Sequence, residues 1–293
     1  MINSRNKLGL MLGFAGVLLF SGTLPATRLA VAAIDPLFLT AARATLAGCA
    51  GLALLLVRRR PPPPRALWRD ILLSGLCTIV GFPLLMAVAM VTVPAAHGGV
   101  VLGIVPLAAT ATAAIVAHER PSAGFWLVSV AGAAIVVIFV LNQSGAQSIA
   151  LGDLFLLVTV IAGAFGYALC GRLSLGMPGW EVISWQVAAF LPLSASAVCV
   201  LWPQDLSAAP ASAWAGLAYV GFVSQFLAFF VFNTAMALAG IARVGQLMLL
   251  QPFVIVGLAA SVNGESIRVT TLAYAAAVVA AVAVGQRMRV SRG

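Results

Sequence analysis

Charge is scarce in this chain. Only 8% of its 293 residues are charged, 7 of them acidic against 16 lysines and arginines. Soluble domains carry roughly a quarter charged residues to hold a surface in water, so a chain with so few, and with 62% hydrophobic residues, is excluded from that class. The carboxylates lie near predicted helix ends, and the only histidines are His97 and His118. No metal site and no cofactor is implied. Neither an H-E-x-x-H helix nor a G-x-S-x-G elbow occurs, which removes two motif-borne hydrolase chemistries. The chain therefore reads as a non-enzyme with no catalytic residues. Its four cysteines, Cys49, Cys77, Cys170 and Cys199, stand singly in apolar runs and lack the paired spacing of a disulfide framework or a zinc site.

A formal net charge of +9 is compatible with nucleic-acid binding only if the basic residues cluster on one face. Here they mark the edges of apolar runs, so no nucleic-acid partner is expected. The run Arg58, Arg59, Arg60, followed by Pro61 to Pro64, reads as a stiff extended connector beside anionic headgroups. Arg5 and Lys7 before an apolar run resemble a secretory signal. Hydrophobicity continues through Ala33, however, and the segment reads as a retained helix.

What the chain has in abundance is hydrophobic length, with a mean hydropathy of +1.11. A hydrocarbon core about 30 Å thick needs ~20 apolar residues per helix. Ten such runs follow one another: Leu8 to Ala33, Pro36 to Val57, Leu67 to Thr92, Ala95 to Ala117, Pro121 to Leu141, Leu151 to Ser174, Pro178 to Leu201, Ala213 to Leu238, Ile241 to Val262 and Ser266 to Gln286. The shortest connections fall at Val93 to Pro94 and at Ala239 to Gly240. With the amino terminus inside, Arg5, Lys7, Arg58, Arg59, Arg60, Arg65, Arg69, Arg120, Arg172, Arg243, Arg287, Arg289 and Arg292 all fall inside, as lysine and arginine bias requires. Asp35, Asp153, Asp205 and Glu265 fall outside, with Arg268 as the basic exception. This threading puts both termini in the cytoplasm.

The chain also repeats itself. Pro106 and Glu119 recur at an offset of 146 residues as Pro252 and Glu265, and Ala89, Met90, Ala96 and Gly99 recur as Ala235, Met236, Ala242 and Gly245. Residues 1–145 and 146–293 thus form two halves of five helices each. Five is odd, so the second half enters the membrane from the opposite face. The fold class expected is an all-α integral membrane protein of ten transmembrane helices, in two inverted repeats around a central cavity. Two such halves of opposite orientation exchange inward-open and outward-open states by rocking about a shared midplane.

These features, the P-x12-E pattern in both halves above all, resemble the drug/metabolite transporter superfamily with two EamA-type repeats, and within it the YddG-type exporters of aromatic amino acids. The resemblance covers essentially the whole chain. It implies a multi-pass exporter of the bacterial inner membrane whose partners are the lipid bilayer and a small-molecule substrate, an amino acid, and for which a monomer suffices. A different exported metabolite or drug, including cysteine metabolites, purines and cationic compounds, is the alternative, with proton coupling as a variant.

The residues add an independent expectation about the cavity. Phe82, Met86, Phe165, Tyr167 and Trp185 supply apolar walls, while His97, Asn233, Gln246 and Gln251 supply hydrogen-bonding groups. Such a lining suits an amphipathic solute with a hydrophobic side chain, although aromatic and Met residues in a bundle also serve packing. Pro106 and Pro252 are hinge candidates because proline interrupts helical hydrogen bonding. Arg43, Arg243, Glu119 and Glu265 are expected as gating or edge charges. For Arg43 the expectations are snorkelling, a contact to Asp35, or a substrate carboxylate. For the two glutamates they are a local ion pair or the cap of a following helix. No acidic residue falls mid-helix, so facilitated export is the expected mechanism.

Overall fold

The computed structural model describes residues 4–105, 107–108, 111–112, 119–143, 151–174, 176–203, 208–239, 247–287 and 290–292. Among these the chain is helical apart from one short strand pairing. The first half gives α1 (Ser4–Ser21), α2 (Thr23–Val31), α3 (Pro36–Val57), α4 (Arg65–Gly75), α5 (Phe82–Thr92), α6 (Ala95–Leu102) and α7 (Ala123–Gln143). The second gives α8 (Leu151–Leu173), α9 (Gly179–Val200), α10 (Ala211–Ala218), α11 (Ala228–Ala239), α12 (Gln251–Asn263) and α13 (Val269–Arg287).

Among the described residues, six spans are long and apolar enough to cross a membrane: Lys7–Val31, Pro36–Val57, Arg65–Thr92, Leu151–Cys170, Gly179–Val200 and Ala211–Ala235. Shorter apolar helices cover Trp126–Phe139, Gln251–Asn263 and Val269–Val284. Leucine, valine and aromatic side chains stand exposed along these helices, among them Leu56, Leu127 and Val200. A surface of that kind is stable only in contact with lipid.

Helix ends follow local chemistry. Asp35 caps α3 by accepting the N–H groups of Leu37 and Phe38 at 2.8 and 3.1 Å, with Pro36 at the first helical position, where it loses no hydrogen bond. The helix stops at Val57, before Arg58 to Arg60 and four prolines. The expected break at Val93 and Pro94 is present, since Val93 turns extended after α5 and α6 restarts at Ala95. The matching break at Gly240 lies outside the described residues.

Three spans are irregular within the bundle. The first divides at Gly22, where Pro25 has no N–H to donate to Ser21 O; nearby, the Tyr219 hydroxyl donates to Leu19 O at 2.8 Å. The third carries a π-helical segment at Leu76–Gly81, just before Pro83. The span from Ala211 carries a second one at Tyr219–Leu227. The 146-residue offset places these two π segments in overlapping register, and each frees backbone groups from the regular ladder.

The core forms between the halves. Helix α3 packs along α9, α1 along α11, α5 along α8, α6 along α12 and α7 along α13, so each contact joins an element of the first half to one of the second. Small residues allow the approach: a Cβ at Gly48 would lie 3.0 Å from Val187 O, and one at Gly51 would lie 3.2 Å from Ser184 O. Close backbone packing of this kind is how helices associate where lipid is as apolar as the helix itself. Strands β1 (Glu119–Pro121) and β2 (Val290–Arg292) pair antiparallel and bring the end of the first half's fourth hydrophobic run beside the carboxyl-terminal residues.

Candidate functional site

Polar side chains gather at the two ends of the bundle and around one cavity between them. At one end, Arg172 pairs with Asp70, and Arg60 Nε lies 3.7 Å from Glu181 Oε2 with its guanidinium over the Trp180 ring. This is the Arg172 face, and it carries the Arg58 to Arg60 connector.

At the other end, Glu265 is the organising group. Helix α12 stops where Gly264 adopts φ +67°, the left-handed region that favours glycine. The turn aims the Glu265 carboxylate at a different helix, where Oε1 accepts Ala95 N–H at 2.8 Å and Oε2 accepts Ala96 N–H at 2.9 Å. The carboxylate thus caps the positive end of α6. Arg28 Nε stands 3.9 Å from Glu265 Oε1, and Arg28 Nη1 donates to Met90 O and Val93 O at 2.7 and 2.8 Å. One ion pair therefore secures both sides of the α5–α6 break. The helix that Glu265 caps is thus one of the other half, not the one that follows it in sequence.

His97 belongs to the same end. Its Nε2 lies 2.9 Å from Asp153 Oδ1, close enough for an ion pair although the ring N–H is not aligned for a hydrogen bond. Both residues border a vestibule of about 500 Å³, shared with Thr92, Glu265, Arg268 and Thr271. His97 is placed there and not in the central cavity.

The central cavity lies between the halves and is narrow, about 70 Å³. Of the residues expected to line it, Phe82, Met86, Tyr167 and Gln251 do so, and Pro252, expected as a hinge, lines it as well. Pro252 opens α12 after a short 3-10 turn over Met248–Leu250. Phe20 and Phe229 join them, in edge contact with ring centroids 4.9 Å apart. The π segments contribute Thr78, Ser224 and Gln225 to its polar lining. Gln225 Nε2 donates to Thr78 O at 3.2 Å, and the Thr23 and Ser224 hydroxyls are 2.7 Å apart. Ser224 falls 146 residues after Thr78, so the repeat itself carried the signal.

Other expectations are redirected. Phe165 is 44% exposed on the bundle exterior, because α8 turns Gly163 and Tyr167 inward instead. Trp185 packs on Trp68 with ring centroids 6.0 Å apart, part of a small core with Leu173 near the Arg172 face. Asn233 Nδ2 donates to Gly179 O at 3.0 Å, tying α11 to the start of α9. Pro106, Arg243 and Gln246 lie outside the described residues, as does the side chain of Glu119.

Arg43 neither snorkels nor meets Asp35. It is 3% exposed, it lines the central cavity, and Asp35 is occupied as a helix cap. Its contact is a long one, Nη2 to Ser224 Oγ at 3.4 Å, and Nε and Nη1 have no hydrogen-bond partner among the described residues.

Comparison with known proteins fits this architecture. A model of the EamA-like transporter family matches residues 7–141 and again residues 150–284. The uncharacterized transporter YdeK of Bacillus subtilis (strain 168) is 41% identical over 276 residues, covering 94% of this chain and 96% of its own. A protein crystal structure 24% identical in sequence superimposes with a TM-score of 0.66 over 97% of this chain and 99% of its own, which shows a shared fold.

Proposed function

The chain belongs to the EamA-like transporter family and is a multi-pass membrane transporter, and from that premise we propose that it exports amino acids, aromatic and other large apolar ones first, by alternating access of two inverted halves. The cavity carries this reading. Its walls are Phe20, Phe82, Met86, Tyr167 and Phe229, and among its neutral polar groups Thr78, Ser224 and Gln225 sit where the π segments interrupt the helices. An apolar slot with a few hydrogen-bonding groups suits a small amphipathic molecule with a hydrophobic side chain.

The positive-inside bias puts the Arg172 face in the cytoplasm and the Glu265 face outside, with both termini cytoplasmic, ten spans in all and residues 1–145 and 146–293 as the repeats. A bacterial-type plasma membrane is the site of action, and one copy of the chain contains the whole cavity. Pro252 and its repeat mate Pro106 act as hinges. Support for alternating access comes from the pairing of corresponding elements across the halves, α3 with α9 and α6 with α12.

Counterflow in proteoliposomes tests the proposal. Vesicles loaded with unlabelled phenylalanine, tryptophan or leucine should accelerate entry of labelled phenylalanine, while glutamate and lysine should not. No acceleration by any apolar amino acid, with protein shown to be folded, would remove the substrate assignment. Facilitated transport predicts a rate indifferent to an imposed pH gradient. A specific observation keeps proton coupling as the second reading, namely the His97 and Asp153 pair in the vestibule. In that case a pH gradient accelerates wild-type export and leaves the His97→Gln variant unaffected.

A further inference from the structure

We infer that Arg43, with Ser224 and Thr23 beside it, holds the carboxylate of the transported molecule, and that the molecule need carry no amine. The inference deepens the exporter reading and rests on the central cavity being the transport site.

Arg43 is placed where a charge is costly. It follows Pro36, the first residue of α3, by seven positions, which at 1.5 Å per residue is about 10 Å along the helix axis. Its guanidinium cannot shed a proton to escape burial, and a buried charge without a partner is strongly unfavourable. A counter-charge is needed, and the protein does not supply one among the described residues. The chain has 7 carboxylates. Asp35 caps α3, and Asp70, Asp153, Glu181 and Glu265 are paired with Arg172, His97, Arg60 and Arg28. The side chains of Glu119 and Asp205 lie outside the described residues.

The geometry of the free groups says what the counter-charge is. Nε and Nη1 lie on the two donor edges of the planar guanidinium, each edge completed by Nη2, and either edge can bind a carboxylate through two parallel hydrogen bonds. Both are unpartnered in a residue that lines the cavity. The Ser224 hydroxyl, 3.4 Å from Nη2 and 2.7 Å from the Thr23 hydroxyl, is placed to donate to the same oxyanion. Away from this corner the walls are apolar, with Phe20, Phe82, Met86 and Phe229. No carboxylate lines the cavity among the described residues, so an ammonium group has no charged partner there. The site is thus built for an apolar acid, of which an aromatic amino acid is one member.

Binding to purified full-length protein tests this without requiring flux. Thermal-shift titrations would use 3-phenylpropionate, which keeps the carboxylate and ring, and phenethylamine, which keeps the amine and ring. The expected result is saturable stabilisation by 3-phenylpropionate and none by phenethylamine. Arg43→Gln should fold, with a melting temperature without ligand at or above wild type because a buried unpaired charge is gone, and should weaken 3-phenylpropionate at least tenfold. Arg43→Lys, which restores the charge without the fork, should recover part of that loss. Equal binding of phenethylamine, an Arg43→Gln affinity within twofold of wild type, or no binding of the acid to wild type would each overturn the inference. Arg43-dependent binding without counterflow would leave this site standing and sink the exporter reading. Counterflow of phenylalanine with unchanged affinity in Arg43→Gln would sink this site alone.

Discussion

Glu265 accepts two backbone N–H groups from a helix some 170 positions away in sequence and faces Arg28 at the same time. Replacing it with Gln removes the charge that favours the α6 terminus and the partner of Arg28. A charged cap of this type is worth about 1–2 kcal/mol, so Glu265→Gln should lower the unfolding temperature in detergent measurably, and Glu265→Asp, too short to span both donors, should not recover it. Gly264→Ala, forced into the left-handed region, should cost about 1–2 kcal/mol in the same assay. The sequence exposed Glu265 as a repeated edge carboxylate but not its role, because its partners come from the other half and leave no local trace. Arg43 divides in the same way. Its depth in α3 was legible, whereas its isolation from every described carboxylate follows only from where Asp35 and the others are held.

Helix breaks were legible at Pro36 and at Val93 and Pro94, but not at Gly22, which divides a run that reads as one helix. The π segment over Tyr219–Leu227 contains no proline and was not legible, although it supplies Ser224 and Gln225 to the cavity. Inward and outward faces were the least readable feature. In lipid, the exterior of a helix is as apolar as its packed face, so Phe165 and Tyr167, two positions apart on α8, look alike in sequence and point to different surroundings. The contact of α6 with α12 is the element-scale feature most open to test. A Cβ at Gly99 would lie 2.6 Å from Ile255 Cγ2, and one at Gly103 would lie 3.0 Å from Pro252 Cγ. Gly99→Val should therefore destabilise by about 1–3 kcal/mol through overpacking, while Gly257→Ala on α12, with open space around it, should be close to neutral. Melting temperatures of the two variants decide the matter.

At the scale of the molecule, two halves meet along corresponding elements, α3 with α9, α6 with α12 and α7 with α13, and along the exchanged pairs α1 with α11 and α5 with α8, and enclose a narrow cavity, with one ion-paired end at Glu265 and another at Arg172. Membrane class, the repeat and the family were readable from composition and the 146-residue offset because they depend on sums and periods. The vestibule around His97 and Asp153 was not, since it depends on a tertiary pairing of α6 with α8. In this account transport requires the halves to separate on one side of the cavity while remaining closed on the other. The most direct test is a reversible lock between α6 and α12. In a background with the 4 native cysteines replaced, Gly99→Cys and Ile255→Cys bring together positions where a Gly99 Cβ would lie 3.0 Å from Ile255 Cβ, within a small shift of disulfide reach. Oxidation should abolish phenylalanine counterflow and reductant should restore it. Full-rate counterflow in protein shown to be cross-linked would contradict alternating access of the two halves.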